Sequence, residues 1–295
     1  MTDIPLHHLH HHLDQDGLPY KIVKIEDIWQ PDQHIAPDRH SYYALFWVKE
    51  GQGQHLIDFE EYTVRDDSLF FIAPGQVHYW QIEGSFRGYA ILFLRDLFDL
   101  DNLTTDFLQT IDVFQGIQYT DLLYPRASFV PVLDSLAAQL WAESEHPDAF
   151  GQLTAVRALL HLILIHAQRC YLAQIGPSQN QEEQMVHQFL KLVRQHAITD
   201  HSVQAYADRL GVTAGYLSEL VKAELGQPAG KAIRQQLVLE AKRLLIHSEQ
   251  TVHEIAYQLN FADSAYFSRF FKREAKQSPT AFRTNFRKKY LTTHR

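Results

Sequence analysis

Between Arg39 and Leu94 the chain alternates short aromatic and β-branched runs with turn residues. The breaks fall at Gly51, Gly53, Asp66–Asp67, Pro74–Gly75 and Gly84. Short runs separated by turn signals at this density are typical of antiparallel strands rather than helices. This part of the chain is therefore predicted to form an antiparallel β-barrel or β-sandwich.

The stretch from Ser128 to Ala173 has helical periodicity and predicts a hairpin of two helices that turns near "SEHPDAFG". Its second helix carries one apolar row with alternating spacings of three and four, formed by Leu153, Val156, Leu160, Ile163, Ala167 and Cys170. A second row contains Leu159, Leu162 and Ile165. Two apolar faces predict that one of them meets another subunit, as in a coiled coil. Packing of the whole hairpin within one chain is the alternative, and both stay open.

The C-terminal part of the chain contains one pattern twice. Tyr206 to Pro228, "YADRLGVTAGYLSELVKAELGQP", matches Ile255 to Pro279, "IAYQLNFADSAYFSRFFKREAKQSP". Each copy predicts a short helix, a tight turn and a second helix. Repetition of such a unit within one chain predicts two tandem helix-turn-helix elements.

Capping signals support these boundaries. Thr251 and Glu254 have the spacing of a capping box, and either Asp263 or Ser264 can cap the second helix of the second copy. Between the copies, apolar residues from Ile233 to Leu245 recur at a helical period. This spacing predicts a connecting helix that holds the two units together.

The second helix of each copy has one buried stripe and one outward face. In the second copy Phe267, Phe270 and Phe271 form the stripe. The outward faces contain Ala214, Gly215, Ser218, Glu219 and Lys222 in the first copy and Ser264, Ala265, Ser268, Arg269 and Lys272 in the second. Small residues at the N-terminal end of such a helix permit close approach to a DNA major groove. A solvated basic face is the alternative for a single helix, but two tandem copies favour DNA binding.

The net charge of −8 is an average over two unlike parts. Up to residue 180 there are 10 Lys and Arg against 24 Asp and Glu, and from residue 181 there are 17 against 11, so the C-terminal part is basic. "AQIGPSQNQEE", Ala173 to Glu183, predicts a linker between them. A single cysteine, Cys170, and no apolar run near the roughly 18 residues of a membrane span predict a cytosolic protein without disulfides.

The second copy resembles the signature of the AraC/XylS family of bacterial transcription regulators. The matching residues are "IA", a turn, a Phe, "DSAYFSRFFK", "SP" and a closing Phe282–Arg283. The resemblance covers roughly Glu183 to Lys289, and it departs from the family at Asn260 and Lys276, where Gly is usual. It implies a regulator that binds double-stranded promoter or operator DNA, with RNA polymerase as a candidate further partner.

If the protein binds DNA as this family does, its outward side chains are expected to have different roles. Arg269 lies on the N-terminal half of the second recognition helix and is expected to contact a base, whereas Lys222, Lys272 and Arg283 are expected to contact phosphates. Glu219 repels phosphates unless it accepts a hydrogen bond from a cytosine amino group. The first helix-turn-helix element is therefore predicted to position the protein on the DNA more than to recognise bases.

The N-terminal part is similar, more loosely, to the cupin-type sensor domain of the same family, through the Gly51–Gly53 pair and Pro74–His78, "PGQVH". This similarity implies a small-molecule effector. Strand alternation predicts a pocket of aromatic residues with a few polar groups, formed by His40, Tyr42, Phe46, Glu50, His78 and Trp80. A planar or partly apolar effector fits such a composition. A filled barrel without a ligand is the alternative.

The histidines of the predicted barrel allow an enzymatic function as an alternative to the regulatory one. Many cupins hold a metal through several histidines, and His40, His55 and His78 are available here. The paired H-x-H with its following Glu is absent, so neither a metal nor a cofactor is predicted. A metal-dependent cupin enzyme with a DNA-binding appendage remains one alternative function. A constitutive regulator whose barrel serves only as a dimerisation scaffold is the other.

The sequence therefore predicts an α+β multidomain protein. Residues 1–127 form a cupin-like antiparallel β-barrel, 128–172 a helical dimerisation hairpin, 173–183 a linker, and 184–295 an all-α domain with two helix-turn-helix units. The expected function is effector-responsive, sequence-specific transcription regulation by a cytoplasmic homodimer that has no membrane segment and no catalytic activity.

Overall fold

A computed structural model describes residues 6–7, 18–32, 34–98, 107–114, 122–175, 180–248 and 250–291. The chain forms two compact units, one of Leu6–Pro177 and one that contains Ser178–Arg295. The division falls within the stretch 173–183 that was predicted as a linker. Among the helices of the described ranges, none has both the length and the apolar composition needed to cross a membrane.

The first unit is built on one eight-stranded sheet. Its strands are β1 (Leu6–His7), β2 (Tyr20–Lys24), β3 (His34–His40), β4 (Tyr43–Ile57), β5 (Glu60–Val64), β6 (Ser68–Ile72), β7 (Val77–Phe93) and β8 (Leu122–Leu123). The order is β1-β3-β7-β4-β6-β8, with β2 also paired to β7 and β5 to β4. The described pairs are antiparallel except β1 with β3. The prediction of an antiparallel sheet domain is confirmed.

Alternation along β4 sends apolar side chains to both faces of the sheet. Leu45 and Trp47 belong to one buried cluster, together with residues of the helical hairpin. Phe46 and Val48 belong to a second cluster on the opposite face, together with Trp80 of β7. The sheet is therefore covered on one face by helices, and its other face surrounds a separate interior.

The hairpin consists of α3 (Val130–Ser144) and α4 (Gln152–Ile175), and two further helices, α1 (Ile25–Ile28) and α2 (Phe107–Thr110), are short. The first predicted apolar row of α4 is buried against the sheet from Val156 to Cys170. Leu162, from the second row, is 45% exposed. The coiled-coil-like row thus packs within the chain, and the second row is the one nearer the surface.

The second unit is helical. It contains α5 (Gln181–His196), α6 (Val203–Leu210), α7 (Ala214–Leu225), α8 (Ala229–His247), α9 (Val252–Gln258), α10 (Ser264–Ala275) and α11 (Pro279–Leu291). The pairs α6–α7 and α9–α10 are the two predicted helix-turn-helix elements. The connecting helix α8 packs against α5, α6 and α7 and also against α9, α10 and α11. Because Ile233, Leu237, Ala241 and Leu245 are all buried, α8 joins both elements through apolar contacts.

Asn260 and Lys276, which stand where the family usually has Gly, have the same backbone geometry as the equivalent glycines of the first element. Gly211 ends α6 at φ 69°, and Asn260 occupies the equivalent turn at φ 60°. Gly226 follows α7 at φ 66°, and Lys276 follows α10 at φ 63°. Asn tolerates this left-handed region, whereas a Lys there carries a steric cost that Gly avoids. The second element therefore keeps the geometry of the first at the expense of strain at Lys276.

Candidate nucleic-acid interface and ligand pocket

The two recognition helices begin with the same capping geometry. The Thr213 hydroxyl accepts a hydrogen bond from the Tyr216 backbone N–H at 3.2 Å. The Asp263 carboxylate accepts from the N–H groups of Ala265 and Tyr266 at 2.9 and 3.0 Å, and these bonds lower the pKa of Asp263. Each cap sets the helix start at the equivalent residue, so the side chains that follow occupy equivalent positions.

The predicted burial pattern of both helices is confirmed. The buried stripes contain Leu217, Leu220 and Val221 in α7 and Phe267, Phe270 and Phe271 in α10. Opposite the stripes, the exposed residues are Gly215, Glu219, Lys222, Ala265, Arg269 and Lys272, and the half-buried ones are Ala214, Ser218, Ser264 and Ser268. Each helix therefore presents one polar face with small residues in its first turn.

The charged groups on α10 differ in their partners. Arg273 lies 2.8 Å from a carboxylate oxygen of Glu274, and Arg234 of α8 lies 3.3 Å from the same oxygen. Arg269 and Lys272 form no ion pair within the described part of the chain, and both side chains are exposed. These two cations are available to an external anion, whereas Arg273 is engaged in a surface network.

Arg283, which was predicted to contact a phosphate, is engaged by the chain itself in this structure. Its Nε donates to the Leu245 carbonyl and its Nη2 donates to the Gln250 carbonyl, both at 2.7 Å. Leu245 lies in the last turn of α8, where backbone carbonyls have no partner within the helix. A guanidinium satisfies them and interacts favourably with the negative helix end. Arg283 therefore connects α11 to the end of α8 and to the segment that precedes α9.

In the first helix-turn-helix element, the hydroxyl of Ser218 donates to the Ala214 carbonyl at 2.7 Å, so it is engaged by its own helix. Two exposed tyrosines were missed by the sequence interpretation. Tyr216 is 43% exposed and Tyr266 is 52% exposed. Each is the third residue of the second helix of its element. The presence of a tyrosine at the same position in both aligned copies is the sequence signal that could have identified them.

The sheet unit contains a cavity of about 170 Å³ on the face opposite the hairpin. Its lining includes five of the six residues that were predicted for a pocket, namely His40, Tyr42, Phe46, His78 and Trp80. The other lining residues are Lys21, Val23, Ile28, Trp29, Asp38, Ala90 and Leu92. The cavity is thus mainly apolar and aromatic, with a few charged or imidazole groups, as small-molecule sites usually are.

Two details of the predicted pocket are corrected. Glu50 does not line the cavity, because the β4–β7 register shifts between Val48 and Glu50 and breaks the alternation. The Glu50 carboxylate lies 3.3 Å from Arg87 at the surface instead. Tyr42 does line the cavity, but it lies in the bend between β3 and β4 rather than on a strand with His40.

The aromatic wall has an accessible part and a buried part. Trp80 is 1% exposed and stacks on His55, whereas Trp29 is only half-buried. The Trp29 ring lies 5.0 Å from the Trp80 ring and 5.8 Å from the Phe46 ring, measured between centroids. Trp29 follows α1 and is far from β7 in sequence, so strand alternation could not predict its place in this wall.

Asp38 and His78 line the cavity, and His78 contacts the buried His55, which is not part of the lining. His55 Nε2 lies 3.2 Å from His78 Nδ1, and His78 Nε2 lies 3.3 Å from the Asp38 carboxylate. Burial and the neighbouring His78 hold the pKa of His55 well below its usual range, so this imidazole is neutral.

Three candidate metal ligands, His40, His55 and His78, do not converge on one point. His55 is directed at His78, and the ring of His40 stacks on Tyr42 with its Nδ1 donating to the Tyr42 carbonyl at 2.6 Å. In the part of the chain that the structure describes, no group of three His, Cys, Asp or Glu residues is placed to hold a metal ion.

Comparison with known proteins gives matches in both units. A model described as an AraC-like ligand binding domain matches residues 28–163, and a helix-turn-helix domain model matches residues 206–285. The transcriptional activator RhaS of Escherichia coli is 22% identical over 253 residues, which are 86% of this chain and 89% of RhaS.

Solved structures that match the chain include ToxT from Vibrio cholerae, 13% identical, covering 90% of this chain and 98% of that chain at a TM-score of 0.41. The C-terminal domain of AraT, a response regulator from Geobacillus stearothermophilus, is 27% identical, covering 36% of this chain and 88% of that chain at a TM-score of 0.34. With both family models matched in the expected order, the chain belongs to the AraC/XylS family of transcription regulators, with an N-terminal ligand-binding domain and a C-terminal helix-turn-helix DNA-binding domain.

Proposed function

We propose that α7 and α10 enter successive major grooves of a promoter or operator and that Arg269 makes the main base contact. The observation that carries this proposal is the matched pair of capped helices, each with small residues in its first turn and an exposed polar face. Arg269 is exposed and has no ion-pair partner among the described residues, so its guanidinium is free to bridge guanine O6 and N7.

The remaining side chains have supporting roles in this proposal. Lys222 and Lys272 contact phosphates, because both are exposed ammonium groups on the outward faces. Ala214, Gly215, Ser264 and Ala265 permit close approach of the helix ends, and Ser268 lies beside Arg269. Glu219 accepts a hydrogen bond from a cytosine amino group. Otherwise the first helix-turn-helix element only positions the protein on the DNA.

A small-molecule effector binds in the cavity of the sheet unit. Trp29, Tyr42 and Phe46 offer aromatic surface, and Lys21 and Asp38 offer charge of both signs. A planar or partly apolar molecule with a polar substituent is complementary to this lining. Effector binding changes transcription by favouring one arrangement of the two units over another.

The protein acts as a homodimer in the cytoplasm, where its DNA partner is located, and has no catalytic role. Leu162 and Leu172 of α4 are 45% and 46% exposed, which supports a subunit contact on this helix. RNA polymerase is a further partner if the protein activates transcription as RhaS does. We also propose residues 178–295 as the DNA-binding domain.

The experiment that tests this function is selection of binding sites from a random duplex pool by the full chain, followed by binding of variants to the selected site. Arg269→Ala should cost about 1–3 kcal/mol on that site and relax preference at one base pair. The matched control, Lys272→Ala, should weaken binding to all duplexes similarly and reduce the salt slope by about 1. Equal loss of specific and random binding in Arg269→Ala would contradict base contact by Arg269.

A further inference from the structure

The ring of Tyr266 neighbours both the core of the second element and the guanidinium of Arg269. Its centroid is 5.9 Å from that of Phe261, which is 5% exposed. The Arg269 Cζ atom lies over the same ring, 6.0 Å from its centroid. The backbone N–H of Tyr266 donates to the capping Asp263 carboxylate. Tyr266 is therefore held at its backbone and packed beside Phe261 while its ring meets Arg269.

An aromatic face attracts a guanidinium and limits the directions that it samples. The attraction acts within about 6 Å of the ring centroid, which is the separation found here. Residues three apart on a helix lie on the same face, so Tyr266 and Arg269 stay neighbours throughout the motion of the side chains. An arginine held in this way loses less conformational entropy when it docks on a base.

Packing alone does not account for this tyrosine. The other aromatic residues of α10, Phe267, Phe270 and Phe271, face the core, whereas Tyr266 is 52% exposed. The first element provides an internal comparison, because Tyr216 has the equivalent position and is 43% exposed. There the residue three positions later is Glu219, which an aromatic face does not attract.

We propose that Tyr266 is a positioning residue that orients the Arg269 guanidinium toward its base pair. This inference rests on the proposed function, in which α10 contacts DNA bases. It assigns part of the sequence preference to a residue that acts through Arg269, and it assigns no such role to Tyr216.

The test compares four single variants and the Tyr266→Leu, Arg269→Ala double variant of the full chain. Each is measured on the duplex selected by the wild type and on duplexes with each other base pair at the Arg269 position. Tyr266→Leu removes the aromatic face but keeps apolar cover over Phe261, Tyr266→Phe keeps the face, Tyr216→Leu is the matched control, and Arg269→Ala removes the contact itself. We expect Tyr266→Leu to weaken binding to the selected duplex about two- to fivefold, the size of an exposed cation–π contact. Discrimination at that base pair should fall by the same factor.

Further outcomes separate positioning from a purely structural role. Tyr266→Phe should keep wild-type discrimination, Tyr216→Leu should leave that base pair unaffected, and Tyr266→Leu should add nothing once Arg269 is Ala. The proposal is overturned if Tyr266→Leu and Tyr266→Phe lose discrimination equally, or if the Tyr266→Leu effect persists undiminished in the Arg269→Ala background. Unchanged preference in Arg269→Ala overturns the proposed base contact as well, so the two failures are distinguishable. Thermal melting of each variant establishes that the DNA-binding domain is folded.

Discussion

The indole of Trp80 stacks on the imidazole of His55, with ring centroids 3.4 Å apart and ring planes inclined by 14°. Trp80 is 1% exposed and His55 is fully buried. Phe70 packs edge-on against the same indole at 5.1 Å. Trp80 therefore lines the cavity as part of the core, and Trp29 is the more accessible tryptophan of its wall.

Trp80 and Trp29 should respond differently to truncation. We expect Trp80→Ala to lower the free energy of unfolding of the sheet unit by about 3–5 kcal/mol, because it leaves a void among buried rings. Trp29→Ala should cost less stability and reduce the thermal stabilisation by any effector found in a small-molecule melting screen. Denaturant unfolding of both variants measures the first effect. A Trp80→Ala variant as stable as the wild type would show that this residue is not part of the core.

The stability of the sheet unit should decrease in acid because of His55. Burial, with His78 adjacent, holds the pKa of His55 in the folded chain well below the ordinary value of 6.5. Unfolding restores the ordinary pKa, so below pH 6.5 the unfolded chain binds a proton that the folded chain does not. The free energy of unfolding should therefore be insensitive to this group above that pH and fall as the pH drops below it.

A His55→Phe variant is the control for that pH dependence, since Phe can keep the stack on Trp80 but cannot titrate. Denaturant midpoints measured across the acidic range should fall less steeply with decreasing pH in His55→Phe than in the wild type. An identical pH dependence in both proteins would assign it to groups other than His55.

Arg283→Ala should affect folding rather than DNA contact. The variant leaves the carbonyls of Leu245 and Gln250 without their charged donor, and two such bonds contribute on the order of 2–4 kcal/mol. Arg283→Lys should restore only part of this, because one ammonium lacks the fork geometry of a guanidinium. The salt dependence of DNA binding should stay unchanged in Arg283→Ala under conditions where the variant is folded. A salt slope reduced by about 1 would instead indicate a phosphate contact.

Relief of backbone strain at Lys276 should stabilise the helical unit. Its φ of 63° costs a side-chain-bearing residue more than glycine, so Lys276→Gly should raise the free energy of unfolding by about 0.5–1 kcal/mol. The first element offers the reciprocal control, because Gly226→Lys places a side chain at φ 66° and should be destabilising. Thermal melts of the two variants should shift in opposite directions, and shifts of the same sign would contradict the strain.

Residues 178–295 should fold and bind DNA without the sheet unit. This range has its own buried core, and the chain from residue 181 onward has 17 Lys and Arg against 11 Asp and Glu. Its affinity should be lower than that of the full chain if the proposed dimer supplies a second DNA-binding domain. Circular dichroism and a binding titration at several salt concentrations measure both properties. An insoluble or inert fragment beside an active full chain would contradict this boundary.

Features that depend on near neighbours along the chain are predictable from the sequence. The repeat, the Thr251–Glu254 capping box and the phenylalanine stripe of α10 follow from hydrogen bonds and periodicities that span three or four residues. The outward position of Arg269 follows from the same periodicity. The fold class was predictable for a related reason, since turn spacing distinguishes the strand-rich part from the helical part.

Contacts between groups far apart in sequence are not predictable from local patterns and are seen first in the folded chain. Arg283 donates hydrogen bonds to backbone carbonyls 38 and 33 residues away in sequence. Trp29 lines the cavity although it lies outside the strands whose alternating pattern predicts the other lining residues. Register shifts on both sides of Glu50 break the alternation that predicts its side chain to face the cavity. Likewise, the sheet covered one apolar row of α4 and left Leu162 exposed. Local periodicity specifies that a face is apolar, but the partner that covers it is selected by packing between segments far apart in sequence.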